Sequence, residues 1–141
     1  MVSLRAGCTR GNNVDRLFLA LAGLNGFLAV MLGAFGAHGL RNSLASAPDG
    51  VRRIEVWETG AHYQLVHAVA LGVIAALATR FQSQALPVAG YLFQAGIVLF
   101  SGSLYIVAFT GIRAFGAVTP FGGLCFLAGW ISVIVAAFKQ P

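Results

Sequence analysis

The sequence predicts an all-α integral membrane protein: one four-helix bundle of antiparallel up-down topology with short loops. Three observations predict it. No Lys, Arg, Asp or Glu occurs between Arg16 and Arg41, Glu58 and Arg80, Arg80 and Arg113, or Arg113 and Lys139. Each gap suffices for a helix to cross the hydrocarbon layer, which is roughly 30 Å thick and takes about 20 residues. Of the 141 residues, 58% are hydrophobic and only 9% charged, far from a soluble composition. The connections between gaps are short, which sets consecutive spans antiparallel. Helices follow because lipid offers the backbone no hydrogen-bond partner, so each segment must satisfy its own.

A polar N-terminal tail is assigned to residues 1–14 and a single transmembrane domain to 15–139. The first helix spans 15–37. A cleavable signal peptide is the rival reading, since Arg10 and Arg16 precede a run ending in Gly33-Ala34-Phe35-Gly36-Ala37. A run of about 21 residues from Leu17 exceeds the roughly 7–15 of a signal core and favours a retained helix. A polar connection from Gly39 to Gly50 contains the turn signal Pro48-Asp49-Gly50.

The second helix spans 51–79. Arg52, Arg53, Glu55 and Glu58 among Val51, Ile54, Val56 and Trp57 suit exposed first turns leading into the apolar run. At 1.5 Å per residue it measures about 43 Å, longer than the membrane, which puts Trp57 at the headgroup interface. The third helix spans 86–110, with Pro87 in its first turn. The fourth spans 119–138, with Thr119 as N-cap and Pro120 at the first helical position.

The net charge of +5 comes from nine basic residues scattered over loops and tails. They read as topology determinants and headgroup contacts, and nucleic acid is not a partner. Arg5, Arg10, Arg16, Arg80 and Lys139 fall on one side and Arg41, Arg52, Arg53 and Arg113 on the other, which favours cytoplasmic termini in a bacterial inner membrane. Cys8 lies in the tail and Cys125 inside the fourth span, so no disulfide framework follows.

Much of the glycine is intramembrane, where small residues let helix backbones approach. Gly26, Gly33, Gly36, Gly102, Gly122, Gly123 and Gly129 are assigned to helix packing, and Ala29, Gly33 and Ala37 place a small residue at every fourth position. That surface joins helices either within one chain or between copies.

Several motifs resemble a known family. They are Gly33-Ala34-Phe35-Gly36-Ala37-His38-Gly39; Trp57-Glu58-Thr59 with Tyr63-Gln64 and His67-Ala68; Phe100-Ser101-Gly102-Ser103-Leu104-Tyr105; Thr119-Pro120-x-Gly122-Gly123; and Gly129-Trp130. Together they resemble the family called domain of unknown function 423, small bacterial membrane proteins that include the animal transmembrane protein 256 type. The resemblance runs from the first helix onward, without the tail through Asn13 or His62. It implies a small multi-helix membrane protein and brings no activity, catalytic residue or cofactor with it.

Polar residues gather in the membrane half away from the termini. His38, Trp57, Glu58, Thr59, His62, Tyr63, Gln64, His67, Ser101, Ser103 and Tyr105 form the candidate cluster, either a ligand site or interhelical glue. The other half holds Thr79, Gln82 and Gln84 at its rim and Gln94 deeper. His67 lies about 15 Å beyond Trp57, near the midplane, where an ionisable group suggests function. The alternative is a neutral imidazole bonded to Gln94, Tyr63 or Ser132. Glu58 and His62 share a face, whereas His62 and His67 point about 140° apart. No catalytic constellation, metal site or cofactor is assigned: Ser101-Gly102-Ser103 sits inside a helix, and no nucleotide or metalloprotease motif occurs.

The composition therefore favours a non-enzymatic membrane protein whose partners are membrane lipids and other membrane chains, as an accessory or structural subunit or a homo-oligomer. The alternative is a lipid, quinone or small-solute protein using a polar half-cavity opposite the termini.

Overall fold

A computed structural model describes residues 10–81 and 83–138. Helix α1 runs Arg10–Phe35 and continues through a π-helical turn, Gly36–Leu40, into a last α turn, Arg41–Ser43. Helix α2 is Gly50–Ala78. Helix α3 comprises Ala85–Gly96, a second π turn, Ile97–Ser101, and Gly102–Thr110. A 3₁₀ turn, Arg113–Ala117, leads into α4, Thr119–Phe138. All four are long and apolar enough to cross a membrane, and the all-α bundle is the architecture. The expectations for Arg5, Cys8, Gln82 and Lys139 fall outside the described residues.

The first helix is longer than its apolar run. It begins at Arg10, inside the segment assigned to the tail, and extends past Ala37 to Ser43. The expected connection from Gly39 shrinks to residues 44–49. Gly36–Leu40 does not stop the helix because the π turn absorbs it. Leu40 and Leu44 anchor the extension by burial in a small core with Trp57 and Ala108.

α2 and α3 form the centre of the bundle, α1 packs on α2, and α4 packs on α3. Burial follows: 39% and 33% of the apolar stretches of α2 and α3 are buried, against 17% and 22% for α1 and α4. The main core joins Phe18 of α1, Leu71 and Ile74 of α2, Leu86, Ala89 and Phe93 of α3, and Phe126 of α4.

Packing follows one device, a ring seated on a glycine of the neighbouring helix. A Cβ on Gly90 would lie 2.5 Å from the Phe18 ring, one on Gly129 2.6 Å from Phe93, and one on Gly36 2.5 Å from Trp57. Gly96 similarly receives Phe126, and Gly122 lies against the backbone of Phe100. Close approach of this kind replaces the hydrophobic drive that helices lack in lipid. The same device seats Trp57: its indole is buried at 5% exposure over Gly36, donates to the Leu32 carbonyl at 2.8 Å, and lies between Phe35 and Tyr105.

The placement of Arg53 is corrected. Its Nε donates to the Ala108 carbonyl at 2.7 Å and its Nη2 to the Phe109 carbonyl at 2.5 Å, so it caps the C-terminus of α3 instead of meeting headgroups. Gly111 completes that cap with φ of +76°, a left-handed conformation that glycine adopts without steric cost.

Candidate functional site

The candidate cluster divides into two shells. Trp57, Gln64, His67, Ser101 and Ser103 are buried, with Tyr105 half-buried beside them. His38, Glu58, Thr59 and His62 are exposed on the outer surface, and Tyr63 lies between the shells at 41% exposure. The helical period sorts them: Gln64 and His67 lie three apart on the inner face of α2, with Trp57 seven residues before Gln64. Glu58 does not couple with His62. Its carboxylate accepts from Arg41 at 3.2 Å in an exposed ion pair, and Thr59 bonds back to the Glu55 carbonyl.

Tyr105 and three amide side chains satisfy one another in a relay across three helices. The Tyr105 hydroxyl donates to Gln64 Oε1 at 2.7 Å, Gln64 Nε2 donates to Asn25 Oδ1 at 3.4 Å, and Asn25 Nδ2 donates to Gln94 Oε1 at 2.9 Å. Asn25 also donates to the Leu21 carbonyl. Nothing in the sequence reading singled out Asn25, although a lone amide inside a charge-free gap was the available signal. Gln94, anticipated as a partner of His67, ends this relay instead.

His67 is held from both sides. Its Nδ1 lies 2.9 Å from the Tyr63 carbonyl and its Nε2 receives the Trp130 indole N–H at 3.3 Å. A carbonyl only accepts and an indole only donates, so the arrangement assigns the proton to Nδ1 and a neutral ring. The ring stacks on Phe126 at 3.5 Å and 10°, with Phe93 at 5.4 Å. Of the partners anticipated, only Tyr63 is used, through its backbone. Gln94 bonds Asn25, Ser132 bonds the Ala128 carbonyl, and Trp130 takes the remaining nitrogen.

Ser103 bridges α3 to α4 through Thr119 at 2.7 Å. Ser101, in the second π turn, buries its hydroxyl with no hydrogen-bond partner among the described residues. Among the described residues, no three of His, Cys, Asp and Glu gather as a metal site. The inner shell of the polar half is occupied by its own side chains. Two hollows lie outside that shell, an apolar groove between α1 and α2 and, within the same half, a trough beneath Arg52 and Arg113.

The packing glycines also divide. Gly36, Gly122 and Gly129 seat their neighbours closely, and Gly123 makes ordinary contact with Phe100. Gly26, Gly33 and Gly102 have no atom of another element within 4 Å of where a Cβ would stand.

A family model described as Protein of unknown function (DUF423) matches residues 32–123. The chain is similar to the UPF0382 membrane protein YwdK of Bacillus subtilis (strain 168), at 47% identity over 125 residues, 88% of this chain and 98% of that protein. Similarity extends to the UPF0382 membrane proteins SAB0533 of Staphylococcus aureus (strain bovine RF122 / ET3-1) and SH2409 of Staphylococcus haemolyticus (strain JCSC1435). Both are 43% identical over 124 residues, 88% of this chain and 97% of each relative. No solved structure matches.

Proposed function

The chain belongs to the DUF423 family of membrane proteins, and from that premise we propose that it acts by packing against other membrane helices, without chemistry of its own. Its role is that of an accessory or structural subunit, or of a homo-oligomer, in the plasma membrane of a bacterium with both termini cytoplasmic. One observation carries the reading. An open groove of about 470 Å³ runs along the outer side of α1 and α2, lined by Ala22, Gly26, Ala68, Gly72 and Ala76. Lipid chains have no need of small residues, whereas a partner helix does, because it must bring its backbone close. The interior supports the same reading against a solute cavity, since the buried amides bond one another and the Tyr105 hydroxyl, and the imidazole is held by Trp130 and the Tyr63 carbonyl.

Native mass spectrometry of the full chain released from native-lipid nanodiscs tests it. The expected spectrum shows a self-oligomer or a stoichiometric partner. The Gly26→Leu/Gly72→Leu variant, which fills the groove, is expected to lose that species while keeping its melting temperature. A wild-type chain released only as a monomer would sink the proposal.

A further inference from the structure

Four arginines stand on the membrane side away from the termini, and two are engaged by the protein. Arg41 pairs with Glu58 at 3.2 Å, and Arg53 caps α3 with Asp49 3.9 Å away. Arg52 and Arg113 are exposed and form no ion pair or hydrogen bond among the described residues. Both line one hollow of about 430 Å³, whose walls include Val56, Phe100, Leu104 and Pro120. That volume lies within the roughly 300–1,000 Å³ of ligand pockets. A smaller hollow beside it joins Arg52, Arg53 and Arg113 with a single acid, Asp49, so the local field is positive.

The shape selects the ligand. Phe100 lies ten residues before Thr110, the last residue of α3. The trough's wall on α3 runs from Phe100 to Val107 and so descends about 10 Å at 1.5 Å per residue, well into one leaflet of a layer roughly 30 Å thick. Cations above an apolar trough that takes the upper part of an acyl chain fit an anionic lipid, with guanidinium forks on the phosphate and the chain along Leu104 and Phe100. Interfacial arginines commonly reach toward headgroups. Here two unengaged ones share the mouth of a single trough, which makes a site. We propose that Arg52 and Arg113 bind the phosphate of a net-anionic phospholipid whose acyl chain occupies this trough. The proposal does not depend on whether the α1–α2 groove holds a partner helix.

The test is native mass spectrometry of the full chain from nanodiscs of mixed phosphatidylglycerol and phosphatidylcholine. Preferential retention of phosphatidylglycerol is expected, and the Arg52→Gln/Arg113→Gln variant should lose it roughly thirtyfold, equivalent to about 1 kcal/mol for each arginine. Both side chains are exposed and unpaired, so its melting temperature should hold. Gly116→Leu enters open space at the trough and should expel the lipid without changing charge. Arg41→Gln, which removes a charge on the same side but outside the trough, should leave retention intact. Equal loss in Arg41→Gln, unchanged retention in the double variant, or displacement of the lipid by inorganic phosphate would each overturn the proposal.

Discussion

Gly122 and Gly129 of α4 and Gly23, Gly26 and Gly33 of α1 are alike in sequence and opposite in structure. On α4, Gly122 lies against the Phe100 backbone and Gly129 carries the Phe93 ring. On α1, Gly23, Gly26 and Gly33 face open space. α4 spends Gly122 and Gly129 on folding this chain, whereas α1 spends Gly36 beneath Trp57 and leaves Gly23, Gly26 and Gly33 unspent. Small-residue patterning alone therefore does not tell an internal seam from an external one; what distinguishes them is whether a neighbour has already arrived.

The largest effect should break the closed side. Gly122→Ala drives a Cβ into the backbone of Phe100, which has no rotamer to escape by, and should cost at or above the upper end of the about 1–3 kcal/mol typical of overpacking. Thermal unfolding in detergent checks it. Gly129→Ala should cost somewhat less, about 1–2 kcal/mol, because the obstacle is a ring and not backbone. The second-site change Phe93→Leu should recover part of that loss, and a double-mutant cycle with no coupling would remove the ring-on-glycine account.

His67→Phe should come next, at about 1 kcal/mol, since it keeps a ring over Phe126 but deletes the link to Trp130, within the range of interhelical hydrogen bonds in membranes. A lost ligand phenotype at unchanged melting temperature would instead make His67 a site. On the open side, Gly26→Leu should change the melting temperature least while abolishing association on a non-dissociating gel. A large drop in stability there would erase the contrast between the two helices.

Much of this was legible beforehand. The four long apolar helices appear in the charge and hydropathy of the chain, whereas Thr119, read as an N-cap, lies within α4 with its hydroxyl on Ser103. For Trp57 the sequence speaks of depth alone, and only the vacancy above Gly36 shows that its indole turns inward. Arg53 was misread because the carbonyls it caps lie on another helix, more than fifty residues along the chain. Separation along the chain, 39 and 69 residues, likewise hid the pairing of Asn25 with Gln64 and Gln94.

The sequence by itself determined how many times the chain crosses the membrane and where, because the hydrocarbon layer imposes its rule along the chain, one segment at a time. Tertiary structure alone decided which glycines close, which polar groups meet and which arginines stay unengaged. Those outcomes depend on how each helix is rotated about its axis. The π turns at Gly36–Leu40 and Ile97–Ser101 each insert an extra residue, turning everything beyond by about 100°. No linear pattern records that rotation; contacts between helices set it.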